Sequence, residues 1–171
     1  LFLVLASTGS YAAKFIVIIN ECSYPIWPVI GGSTLLPSTT TIGFGLLPGD
    51  SYTVPMPPTW TGHLWARTLC TVNITGNFSC VTGDCGSSTI DCGGGNSNPK
   101  PPVTLAEFTL NSSNGLDYVR VSLAHGFNLP MSVEPRGGTG DPRCGAYESG
   151  SFTCASVQNY TVTFCHTSSK G

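Results

Sequence analysis

The sequence predicts an all-β domain, a sandwich or barrel crosslinked by disulfides. Short apolar runs rich in β-branched and aromatic residues recur along the chain, with Gly- and Pro-rich turns between them. No long stretch carries apolar residues at helical spacing. Eight cysteines, an even number, suit an exported chain with crosslinks.

The first segment stands apart from the rest. Leu1-Phe2-Leu3-Val4-Leu5-Ala6 is apolar, and Ser10 and Ala12 are small residues at the −3 and −1 positions of a cleavage after Ala12. Residues 1–12 are therefore expected to be the remnant of a signal peptide, and residues 13–171 one secreted domain. No later apolar stretch approaches the length of a membrane span.

The strands follow in order. Residues 15–19 form the first apolar run. Residues 26–30 form the second, stopped by Gly31-Gly32; Pro25 and Pro28 flank Trp27 and suit an edge or irregular strand. The turn Leu47-Pro48-Gly49-Asp50 leads into residues 51–54. Residues 64–69, 104–110 and 118–123 read as further strands. In Tyr160-Thr161-Val162-Thr163-Phe164 large apolar residues alternate with threonine, which predicts one buried face. Residues 93–102 and 135–142 are rich in Gly and Pro and are expected to be loops.

Composition excludes several function classes. Charged residues are only 9% of the chain and the formal net charge is −2, so there is no basic field for nucleic acid and no polybasic strip for anionic lipid. At 40% hydrophobic residues the chain is not disordered. No C-x-x-C pair exists and His63, His125 and His166 are scattered, which argues against a metal site, and no cofactor is implied. Neither a G-x-S-x-G elbow nor H-E-x-x-H occurs. Four sequons, at Asn73, Asn77, Asn111 and Asn159, offer N-glycosylation sites to an exported chain.

Several ordered blocks resemble the thaumatin-like proteins, the plant pathogenesis-related proteins of group five. Gly76-Asn77-Phe78-Ser79-Cys80-Val81-Thr82-Gly83-Asp84-Cys85 is similar to their signature, although Ser87 and Ser88 stand where another Gly or Gln is usual. Residues 15–27 resemble the amino-terminal strand with its Cys and Trp. Leu64-Trp65-Ala66-Arg67-Thr68, Thr104-Leu105-Ala106-Glu107-Phe108, Gly126-Phe127-Asn128-Leu129-Pro130-Met131 and the closing 159–165 strand agree in order and spacing. The resemblance implies a flattened thaumatin-like β-sandwich with long loops. It also implies the pairs Cys22–Cys165, Cys70–Cys80 and Cys85–Cys92. Full-length members carry a cysteine-rich lobe between positions matching Cys144 and Cys154, where this chain has nine residues. The chain resembles a small form without that lobe, in which Cys144 and Cys154 are expected to pair.

The family's lectin-like and antifungal behaviour is attributed to a groove lined by one arginine, one glutamate and three aspartates. Carried over residue by residue, the glutamate is Glu107. The arginine aligns with His63, one aspartate with Arg120 and another with His125; the last has no counterpart. Asp117 is a nearby carboxylate at a different family position. The groove is thus expected to be neutral or mildly basic. A retaining glycosidase needs two carboxylates about 5–5.5 Å apart, and Glu107 alone is kept, so efficient hydrolysis is not expected. Trp27, Trp60 and Trp65 could stack on sugars but suit a core equally.

Three functions remain open at this level. The first is a secreted, monomeric, non-enzymatic defence-type protein that binds cell-wall carbohydrate such as β-1,3-glucan, exported to the apoplast or by a vacuolar route. The second is an inhibitor of microbial glycoside hydrolases, as some small thaumatin-like proteins are of xylanases, acting through a rigid loop. The third is a weak endo-β-1,3-glucanase that depends on Glu107.

Overall fold

The structure is a computed structural model and describes residues 14–32, 36, 40–92, 98–137, 144, 150–155 and 159–166. Ten strands form two packed sheets: β1 (Lys14–Asn20), β2 (Trp27–Gly32), β3 (Ser51–Met56), β4 (Thr61–Val72), β5 (Phe78–Thr82), β6 (Leu105–Thr109), β7 (Leu116–Ser122), β8 (Met131–Arg136), β9 (Gly150–Ala155) and β10 (Asn159–Phe164). One sheet runs β3-β1-β10-β8; the other runs β2-β4-β6-β7-β9, with β5 pairing β4. The first and last strands, β1 and β10, are parallel neighbours. The fold is the expected all-β sandwich.

Alternation separates core from surface most clearly along β1, β6 and β7. Ile16 and Ile18 on β1, Leu64 and Ala66 on β4, Ala106 and Phe108 on β6, and Val119 and Val121 on β7 all enter the inter-sheet core, with Tyr160, Val162 and Phe164 from β10. Trp60 is fully buried beside them, and room for it is made by Gly62, where a Cβ would lie 2.3 Å from its ring. A second, smaller cluster of Val29, Trp65, Cys92, Val103 and Leu105 packs on the outer face of the larger sheet.

Four disulfides join Cys22–Cys165, Cys70–Cys80, Cys85–Cys92 and Cys144–Cys154; the first three are the pairs the resemblance implies, and the fourth joins the two cysteines it leaves over. Cys22–Cys165 locks together the ends of the parallel strands β1 and β10. Cys70–Cys80 staples the β4–β5 hairpin at paired positions, and Cys85–Cys92 closes the loop over the second cluster.

The structure differs from the expectation in three respects. Strands β5, β8 and β9 were not among the expected runs. Residues Pro135 and Arg136 belong to β8 rather than to a loop, because β8 is the edge of its sheet and an edge tolerates proline. Thr161 and Thr163 are buried, not exposed. Strand β10 lies inside its sheet, between β1 and β8, and Arg136 Nε donates a hydrogen bond to Thr161 Oγ1 at 2.7 Å. The leader expected at residues 1–12, and the 93–97 and 138–142 parts of the two expected loops, lie outside the described residues.

Candidate functional site

Cross-strand register brings three of the five expected groove residues into one row. His63 on β4 pairs with Glu107 on β6, and Glu107 pairs with Arg120 on β7. The row continues to Ser151 on β9 and ends at Gly31 on β2. Each of the three polar residues sits between core-facing neighbours, so its side chain takes the outer face. Glu107 Oε2 lies 3.7 Å from Arg120 Nε, with side chains 42% and 59% exposed. The His63 ring packs against Trp65, centroid to centroid 5.3 Å. A second row beside it holds Thr61, Thr109, Tyr118 and Thr153.

The other two candidates are elsewhere. His125 is exposed on the turn after β7, where its carbonyl accepts the Val103 amide at 3.1 Å. The row Leu105–Ser122, covered by the second cluster, stands between it and Glu107. Asp117 does not reach the groove at all. It faces the inter-sheet core, fully buried, because it is one residue out of phase with Tyr118 and Arg120. There it accepts from Lys14 Nζ at 2.6 and 2.5 Å, from Tyr160 Oη at 2.8 Å and from the Asn111 amide at 2.7 Å. Burial first, then the Asp117 charge and hydrogen bond, push the Tyr160 phenol well above the usual tyrosine range.

Trp65 and Arg67, also on the outer face of β4, are buried under the loop that follows β5. Trp65 Nε1 donates to the Gly83 carbonyl at 2.8 Å. Arg67 donates to the carbonyls of Trp27 and Ile90 at 3.1 and 2.7 Å, and its guanidinium lies 5.0 Å from the Phe78 ring centroid. Burial lowers its pKa to about 10, against the opposing pull of Asp84 and Asp91. Trp27 is half-buried against Phe78, and Trp60 is in the core. Tryptophan stacking on sugar therefore has no exposed indole in this face. The exposed ring is Tyr118, 42% accessible, whose hydroxyl accepts from Asn114 Nδ2 at 3.0 Å. Sequence reasoning passed over it, although its position two residues before Arg120 places it on the same side of β7.

The chemistry available is that of a mixed-charge polar surface. Glu107 faces a guanidinium rather than a second carboxylate, and Asp117 lies on the opposite side of the sheet. Two carboxyls on opposite faces cannot flank one glycosidic bond. Among the described residues no three His, Cys, Asp or Glu side chains gather as a metal site. The sequon asparagines are all exposed. Asn73 caps the β4–β5 hairpin tip, its Oδ1 accepting from the amides of Thr75 and Asn77 at 3.0 and 2.9 Å.

Comparison with known proteins follows the same outline. The model of the Thaumatin family matches residues 20–149. Thaumatin-like protein 1 of Prunus persica is 44% identical over 137 residues, covering 80% of this chain and 54% of its own length. A protein named glucan endo-1,3-beta-glucosidase in Prunus avium is 43% identical over 141 residues, covering 82% of this chain and 57% of its own length. The solved structure of the thaumatin-like xylanase inhibitor TLXI superposes with a TM-score of 0.67 at 27% identity, covering 88% of this chain and 99% of that one. The chain thus spans about half the length of the curated relatives it matches. With the family model covering most of the chain and the sandwich matching a thaumatin-like structure almost end to end, this chain belongs to the thaumatin family.

Proposed function

We propose that this chain is a secreted, non-enzymatic defence-type protein that binds cell-wall polysaccharide on the outer face of its larger sheet. The observation that carries this reading is the pairing of Glu107 with Arg120. It leaves a surface able to hydrogen-bond sugar hydroxyls but without the second carboxylate that hydrolysis requires. The Tyr118 ring and the threonines beside it add a stacking surface and further hydroxyl partners. The test is a pull-down on insoluble β-1,3-glucan and other wall polysaccharides, run beside an assay for released reducing sugar. Retention without release is expected. Release that Glu107→Gln abolishes would establish the glucanase alternative, and failure to bind any wall polysaccharide would defeat the reading.

A second reading, inhibition of a microbial glycoside hydrolase, is favoured by one observation. The xylanase inhibitor is matched over 99% of its length, whereas the longer relatives are matched over little more than half. A panel of xylanases assayed with the purified chain decides it, and unchanged rates throughout would exclude it.

A further inference from the structure

Resting on the polysaccharide reading above, we propose that the outer face selects chains that carry carboxylates, polyuronates, over neutral glucans. The argument begins with the charges on that face. In the exposed rows of β4, β6, β7 and β9, Glu107 is the one carboxylate among the described residues, and Arg120 lies against it with more than half of its side chain exposed. The Nε contact of 3.7 Å is an ion pair without hydrogen-bond length. The guanidinium fork is therefore available for a bidentate carboxylate, the geometry arginine favours. His63 stands on the far side of Glu107, so the one negative group lies between an imidazole and a guanidinium.

Tyr118 supplies the sugar contact. It lies two residues from Arg120 on the same face, about 7 Å along the strand. A pyranose stacked on its ring can present a ring carboxylate toward Arg120, while Thr109 and Thr153 flank it across the sheet. The rest of this face is balanced: Arg67 on β4 lies under Asp84 and Asp91 of the covering loop, and Lys100 is set against Asp84. The whole chain is negative, at −2, so retention of a polyanion would have to come from a local site rather than from net attraction.

Affinity electrophoresis or calorimetry of the full chain should compare sodium polygalacturonate, its fully methyl-esterified form and soluble β-1,3-glucan. The free acid should bind about tenfold or more tighter than the ester, as expected for gaining one charge-assisted bidentate contact. Arg120→Gln should remove that preference with an unchanged unfolding midpoint. Lys100→Gln, which removes an exposed cation set against Asp84 rather than Glu107, should keep it. Equal binding of acid and ester, or equal weakening by the two variants, would overturn the selectivity while leaving polysaccharide binding in place. No binding to any of the three would overturn both.

Discussion

Replacing Lys14 with methionine tests whether the buried ion pair joins the two sheets. Lys14 and Asp117 come from different sheets, and their side chains are only 7% and 0% exposed. The carboxylate accepts four hydrogen bonds, two of them from the ammonium. In Lys14→Met the carboxylate keeps Tyr160 and the Asn111 amide but loses its counter-charge. Breaking a buried pair from one side costs roughly 3–5 kcal/mol, and each kcal/mol lowers the midpoint of a chain this size by about 2–4 °C. A fall of roughly 6–20 °C is therefore expected. Asp117→Asn should cost a similar amount, since it strands the ammonium. The double variant should cost less than the sum of the singles by about 2 kcal/mol, because contacting residues couple. Urea unfolding with the disulfides intact measures all three. A loss below about 1 kcal/mol in Lys14→Met, the range of an exposed pair, or strict additivity of the two singles, would refute the account.

Tyr160 gives the fold an alkaline limit. Its phenol keeps its proton when folded, whereas the unfolded phenol ionises near pH 10. The raised value therefore contributes stability that is full below about pH 10 and declines above it. Tyr160→Phe should flatten that decline in unfolding curves taken between about pH 9 and 11; an unchanged slope would remove Tyr160 as its source. Opening Cys22–Cys165, which closes a loop of 143 residues in sequence, by paired alanine substitution should cost about 5 kcal/mol in the chain-entropy treatment. Gly62→Ala would set a Cβ 2.3 Å from the Trp60 ring and 2.4 Å from the Gly31 carbonyl. It should destabilise by about 1–3 kcal/mol in thermal unfolding, and a neutral result would mean that both Trp60 and the Gly31 backbone can move aside.

Where side-chain period and strand period coincide, the fold was legible. Residues 15–19, 51–54 and 160–164 read as strands because β-branched and aromatic side chains recur there, and they lie in β1, β3 and β10. Strand β5 hid inside a cysteine-rich block of small polar residues, and among the described residues it pairs with β4 alone. Strand β8 hid behind Pro135, whose missing amide an edge position does not need. The threonines of β10 misled because alternation reports chemical type, while burial also depends on position in the sheet, and β10 lies between β1 and β8. The site was legible only where it is local. Glu107 and Arg120 could be named from aligned blocks, but their contact comes from pairing between strands 13 residues apart. Asp117 illustrates the limit. It is three residues from Arg120, an odd offset on a strand, and that parity sends it to the opposite face.

The same parity explains how the outer face can change its charges without cost to the sandwich. Glu107 sits between Ala106 and Phe108, and Arg120 between Val119 and Val121, all four in the core. The neighbours hold the strands; the outward residues hold nothing buried. Arg120→Asp should therefore change stability by less than about 1 kcal/mol, the loss of one exposed ion pair plus a like-charge contact with Glu107. Its effect on binding should be large by comparison. It would add a second carboxylate to the face and reverse any preference between polygalacturonate and its neutral ester. Thermal unfolding and the same binding comparison, made on one preparation, separate the two effects. A large loss of stability with unchanged selectivity would mean that Arg120 supports the sheet and does not read the ligand.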